Sequence, residues 1–205
     1  MTYSVLSGLT KATVALFIAG TATAHAETWT LDGETSRLAF APVKNDVVGE
    51  VHSFESLSGT VAEDGTVKVA IDLSSLQTNI DIRNERMAEH VFKGEAEAVI
   101  NAKIDMAEFE ALEVGETTTL YVEGTVDLLG NEVWTDMDVF VARLADDRVL
   151  VTTNDMIMLG TEDAGVDEGV NMLQQLAELG GITRVAPVTL RFVFDADTKQ
   201  ASLAQ

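Results

Sequence analysis

The stretch that decides the fold runs from residue 66 to residue 87, TVKVAIDLSSLQTNIDIRNERM. Its first eight residues alternate. Val67, Val69, Ile71 and Leu73 point one way, and Lys68, Ala70 and Asp72 the other, the period-two pattern of a half-buried strand. The preceding EDGT (63–66) is a hairpin signal, because Asp-Gly accepts the positive φ of a tight turn. The alternation then stops. TNIDIRNERM (78–87) carries Arg83 and Arg86 three residues apart with Glu85 between them, in a chain with few basic residues. Thr78 with Asp81 three positions on resembles a capping box, and IRNERMAEHVF (82–92) contains neither Gly nor Pro. The segment is therefore expected to be a helix following a strand.

Working outward, period two dominates. AVINAKID (98–105) places Ala98, Ile100, Ala102 and Ile104 on one face. TLYVEGTVDLLG (119–130) does the same with Leu120, Val122, Val126 and Leu128, and LGNE (129–132) turns the chain. VWTDMDVFVARL (133–144), an ADDR turn and VLVTTND (149–155) follow. APVTLRFVFDAD (186–197) closes the series with Val188, Leu190, Phe192 and Phe194 on one face. A second break is DEGVNMLQQLAELGG (167–181). Val170, Leu173, Leu176, Ala177 and Leu179 form a helical apolar stripe there, and Gly180-Gly181 supplies a stop. About eight strands and two short helices result. Short turns between consecutive strands imply antiparallel pairing. Eight such strands either close into a barrel, whose interior can hold one small ligand, or pack as a sandwich. Periodicity does not choose between them.

The N-terminus reads differently. MTYSVLSGLTK precedes an apolar run, ATVALFIAG (12–20), and TATAHA (21–26) ends in Ala-x-Ala. This is the layout of a secretory signal peptide, residues 1–26, cleaved after Ala26. The run is too short to span ~30 Å of hydrocarbon. Residues 27–205 then form a single domain with no linker and no later run long enough for a transmembrane segment. The expected location is the periplasm.

Composition excludes several functions. The chain has no cysteine, which removes thiol catalysis and Cys-ligated zinc. Thirteen Lys and Arg stand against 34 Asp and Glu, a net charge of −21. Such a surface repels nucleic acid and anionic headgroups. His52 and His90, the histidines beyond the leader, have no local spacing suited to a metal. No nucleophile elbow, phosphate loop or calcium loop occurs. No catalytic residue, metal site or cofactor is expected, and the protein reads as a non-enzyme.

Several segments together resemble the YceI-like proteins. WTLDGETSRLAF (29–40) is similar to that family's opening Trp-x-x-Asp…Ser…Phe segment, and VVGEVHSFESLSGTV (47–61) to its Gly…Phe…Gly strand pair. IDLSSLQTNIDIRNERM (71–87) resembles its strand, Ser/Thr link and Arg-led helix. YVEGTVDLLGN (121–131) and VAPVTLRFVF (185–194) resemble a later hairpin and the closing strand. The resemblance implies an exported, lipocalin-like antiparallel eight-stranded β-barrel whose elongated apolar cavity holds a polyisoprenoid, an isoprenoid quinone or another long-chain lipid. It also makes a cytochrome b561-type membrane protein a conceivable partner. Departures occur at the family's Arg-Asp-x-His-Leu, which here reads Arg83-Asn84-Glu85-Arg86-Met87, and at Thr35, where a histidine is common. The Leu-rich helix between Thr161 and Gly181 is a further departure.

Candidate cavity residues are the inward aliphatic and aromatic positions Leu73, Ile100, Ile104, Leu120, Val122, Val139, Leu190 and Phe192. Each would serve equally as plain core. Arg83, Asn84 and Arg86 are candidates for the cavity mouth, where guanidinium groups could meet a polar headgroup. The competing role for the arginines is a structural tie to Glu85, Glu89 or strand carboxylates. The alternative for the whole protein is a non-catalytic exported β-domain with a filled core that acts through protein contacts.

Overall fold

The structure, a computed structural model, describes residues 28–197. The expected signal peptide lies outside the described residues. Eight long strands follow one another around a closed antiparallel barrel. They are β1 (Trp29–Leu31, continued by Arg37–Phe40), β2 (His52–Phe54 and Leu57–Val61), β3 (Thr66–Asp72 and Leu76–Gln77) and β4 (Glu97–Lys103). The second half comprises β5 (Thr117–Leu128), β6 (Asn131–Trp134 and Met137–Ala145), β7 (Arg148–Thr153 and Ile157–Gly160) and β8 (Val185–Ala196). Each pairs with its sequence neighbour, and β8 closes the barrel onto β1 through Trp29↔Ala196, Leu31↔Phe194 and Leu38↔Leu190. Closure removes the exposed edges that a sandwich would keep. It settles what periodicity leaves open.

The alternating faces behave as read. Val69, Ile71 and Leu73 are buried, as are Ala98, Ile100, Leu120, Val122, Leu190, Phe192 and Phe194. Five strands are broken, and polar side chains bridge the breaks in β1, β2 and β3. In β1 the Asp32 carboxylate accepts from the amides of Glu34 and Thr35 and from the Thr35 hydroxyl. In β3 Asp72 caps a 3₁₀ turn at Leu73–Ser75 by accepting from the Ser74 amide. The Ser75 hydroxyl oxygen then accepts from the Glu55 and Ser56 amides at the break in β2. Ser75 thus supplies an acceptor for the backbone donors at the break in β2.

Among the described residues three short helices occur, one more than the two expected. α1 (Asp81–Arg86) runs into a wider π-helical turn, Met87–Val91. α2 (Met106–Glu110) interrupts the β4–β5 connection, with Asp105 as its N-cap. α3 (Asp167–Leu176) lies between β7 and β8. The capping box at Thr78 does not form, because the helix starts at Asp81 and its N-cap, Ile80, has no side-chain acceptor. Instead the Asn84 side-chain Oδ1 reaches back and accepts from both the Thr78 amide and the Thr78 hydroxyl. α3 also ends earlier than its two glycines suggest. Glu178 takes φ 52° just beyond it, and Gly180 and Gly181 hydrogen-bond the Asn45 turn instead. Among the described residues, no helix is long and apolar enough to cross a membrane.

Candidate functional site: a lidded apolar cavity

α1, the π turn and α3 lie over one end of the barrel. Gly169 of α3 sits directly on the π turn, where a Cβ would fall 2.3 Å from the His90 carbonyl oxygen and 2.6 Å from Val91 Cα. Only glycine lets the two segments approach that closely. Arg184 holds α3 from the barrel side by donating to Asn171 Oδ1 at 2.6 Å, and the Thr161 hydroxyl donates to Asp167 at 2.8 Å.

Beneath this lid lies a cavity of about 460 Å³. Its walls come from inward strand positions such as Phe40, Phe54, Ile71, Ile100 and Leu190, and from Leu73 of the 3₁₀ turn. Its roof comes from Met87 and Val91 of the π turn, Phe92 just after it, and Val170 and Leu173 of α3. Phe40, Phe54 and Phe92 form a run of rings with centroids 5.8 and 5.9 Å apart. Ile80 and Ile82 line the cavity and are about half exposed, which puts them at its mouth. A second cavity of about 90 Å³, with apolar walls, lies deeper in the barrel. Ile100, Met137 and Leu190 border both, so the two spaces are neighbours separated by those side chains.

The candidate residues divide between these spaces. Leu73, Ile100 and Leu190 line the large cavity. Ile104, Leu120, Val122, Val139 and Phe192 surround the small one, alongside Ile100 and Leu190. Arg83 and Arg86 border the large cavity, whereas Asn84 borders neither and is engaged with Thr78. In the α3 stripe Val170, Leu173, Ala177 and Leu179 face the cavity, while Leu176 is 40% exposed.

One corner of the cavity is charged. Glu50 stands between Lys44 Nζ at 2.9 Å and Arg83 Nη1 at 2.6 Å. Arg83 Nη2 donates to the Thr78 carbonyl at 2.6 Å. Arg86 donates to the Leu176 carbonyl at 3.4 Å, placing positive charge at the C-terminus of α3. The arginines therefore tie α1 to the barrel mouth and to α3, and the carboxylate involved is Glu50 rather than Glu85 or Glu89. Burial alone would raise the Glu50 carboxyl, but the hydrogen bonds and charges of Arg83 and Lys44 outweigh it and hold it at about 2. Burial, reinforced by the charge of Arg83, lowers the neighbouring His52 imidazole to about 4 despite the nearby Glu50. His52 Nε2 is 3.8 Å from Glu50 Oε2, and Phe40 meets the ring edge-on at 5.2 Å.

Glu50 and Lys44 are not among the sequence candidates, and His52 figures there only as a histidine whose spacing does not suit a metal. A signal was present. Glu50, His52 and Phe54 sit at i, i+2 and i+4 and so share one face of a strand. His90 takes no part in the cavity and lies 3.9 Å from Glu89. Among the described residues, no three His, Cys, Asp or Glu side chains gather as a metal ion would require.

Comparison with known proteins agrees with this architecture. The family model for the YceI-like domain matches residues 29–176. A solved polyisoprenoid-binding domain from Saccharophagus degradans, implicated in plant cell wall breakdown, is 32% identical with a TM-score of 0.80. That alignment covers 82% of this chain and 98% of the other. BcnA from Burkholderia cenocepacia shares the fold at 13% identity and a TM-score of 0.58, covering 80% of this chain and 98% of its own. No curated protein matches the sequence. On the match over most of its described length, the chain belongs to the YceI-like family.

Proposed function

We propose that this protein is a non-catalytic carrier that holds a polyisoprenoid, an isoprenoid quinone or a similar long-chain lipid in its barrel. The observation that carries the reading is the apolar cavity of about 460 Å³ under a helical lid, continued inward by a second apolar space. The similarity to a polyisoprenoid-binding domain supports the same ligand class. Burying a hydrocarbon chain is sufficient in energy. At about 0.8 kcal/mol per CH₂, ten buried groups contribute about 8 kcal/mol, the scale of a micromolar Kd before ordering costs. Such binding needs few polar contacts, so it leaves no catalytic-looking motif. The competing reading, a filled β-domain acting through protein contacts, requires a packed interior, which a cavity of this size opposes.

Export to the periplasm belongs to the proposal and rests on the leader at residues 1–26. If the ligand is a quinone, a cytochrome b561-type membrane protein is the partner with which the carrier would exchange it. The test is to express the chain from Glu27, purify it from its own host, and extract it for mass spectrometry. A co-purifying prenyl lipid is the expected result. Protein that never carries lipid and takes up no prenyl chain when offered would defeat the proposal.

A further inference from the structure

We infer, building on the carrier reading, that the charged corner of the cavity selects a lipid with an uncharged, oxygen-bearing headgroup: His52 and Arg83 offer it hydrogen bonds, and Glu50 turns phosphate away. The corner lies in walls that are otherwise mostly apolar, and a hydrocarbon chain alone does not require it. Its residues come from two elements brought together by folding, the segment leading into β2 and helix α1.

The hydrogen bonds leave particular nitrogens unpaired. Arg83 Nη1 is taken by Glu50 and Nη2 by the Thr78 carbonyl, while its buried Nε–H has no partner. His52 is 3% exposed, and neither of its ring nitrogens makes a hydrogen bond. Buried polar groups are ordinarily paired, and leaving them unpaired is costly. A ligand oxygen arriving in this corner would relieve that cost. The imidazole is neutral at pH 7, because burial lowers it to about 4. A neutral ring presents one N–H donor and one lone pair, which suits a carbonyl or hydroxyl better than a multiply charged anion.

Charge argues the same way. Both cations of the corner, Lys44 and Arg83, already face Glu50, one on each carboxylate oxygen. A prenyl phosphate or diphosphate would bring two or more negative charges next to that carboxylate in apolar surroundings, where repulsion is screened little. It would have to displace Glu50 from both partners. An uncharged oxygen needs no such displacement. Arg86, the other cation at the cavity, is directed to the Leu176 carbonyl at the end of α3.

The experiment uses the chain from Glu27, stripped of lipid, and three ligands of equal chain length: geranylgeraniol, geranylgeranyl diphosphate and the headless C20 hydrocarbon phytane. Each displaces a fluorescent prenyl probe. The expected wild-type order is alcohol first, by about tenfold over each of the others, the scale of one or two hydrogen bonds. Glu50→Gln should narrow or reverse the gap between alcohol and diphosphate. His52→Phe, which keeps the ring, should bring the alcohol down to the hydrocarbon while hydrocarbon binding is retained. Hydrocarbon binding thus reports that each variant still folds and holds a chain. Wild-type preference for the diphosphate, or variants that weaken all three ligands alike, would overturn the inference. If none of the three binds, the carrier reading itself falls. Equal binding of all three removes only the headgroup site.

Discussion

The two ends of the barrel are built from the same alternating strands and do opposite things. At the end away from the lid, Phe109 of α2 meets Trp29 edge-on at 5.0 Å, and the Arg143 guanidinium lies 5.8 Å from both rings. Trp29 and Phe109 are 3% and 6% exposed, and the nearby space is only about 90 Å³. At the lid end the space is about 460 Å³, and the cover is two short helical segments held by hydrogen bonds and one ion-pair cluster. Close packing gives the first end stability. The second end leaves apolar surface uncovered, which is a cost in the empty protein and a binding surface when a chain is present.

The contrast can be tested from both sides. Trp29→Ala should be the most damaging single change, costing about 3–5 kcal/mol because it empties a tightly packed end and strands Phe109 and Arg143. Urea denaturation would show it as a lowered midpoint. A loss under about 1 kcal/mol would mean that the lower end is not the stabilising one. Gly169→Val should cost less, about 1–3 kcal/mol, because it overpacks only the lid contact. Its larger consequence is functional: the lid is wedged from the π turn and bound prenyl probe should dissociate faster in stopped flow.

Arg83→Gln removes two charge-assisted hydrogen bonds from the mouth and should cost about 1.5–3 kcal/mol. Arg86→Gln, with one long contact, should fall within about 0.5 kcal/mol of wild type. Stability and probe retention measured separately distinguish tie from headgroup contact. Lost stability with retained binding marks a tie.

The lid end also carries two groups that respond to acid. The folded Glu50 carboxyl, at about 2, lies below its ordinary 4.5, so its contribution is complete above 4.5 and is lost as pH falls towards 2. The folded His52, at about 4, lies below its ordinary 6.5, so the unfolded chain takes up that proton first and stability falls from 6.5 towards 4. Both act at the lid end and have the same sign. A denaturation series from pH 7 to pH 3 should show falling stability, with a shallower slope for His52→Phe. An unchanged slope in that variant would remove His52 from the explanation. A small effect is also expected far from the cavity. Lys103 and Asp64, 57% and 69% exposed, pair at 3.0 Å, and Lys103→Gln should change stability by less than about 1 kcal/mol.

The strands were readable because period two is a local consequence of the pleat. TVKVAIDL, AVINAKID and APVTLRFVFDAD each lie on an observed strand to within two residues at either end. The lid helices were readable in place but not in detail. Thr78 looked like a cap and proved to be held by Asn84, and α2 was hidden in a short acidic connection. Leu190 and Phe192 show why the cavity itself was less legible. They are neighbours on the same inward face of β8, yet Leu190 borders the large cavity and Phe192 only the small one. Alternation reports inside against outside; it carries no information about height along the barrel axis.

From its sequence alone, this protein's strand faces, its antiparallel order and the positions of its two lid segments were determined, because each depends on neighbours within a few residues. Three things waited for the tertiary structure: closure of β8 onto β1, the emptiness beneath the lid, and the meeting of Glu50 with Arg83 across 33 positions of chain. These depend on how distant segments fill or fail to fill a shared volume. A residue's identity sets what it can contribute to that volume, and only the fold sets what remains for it to touch.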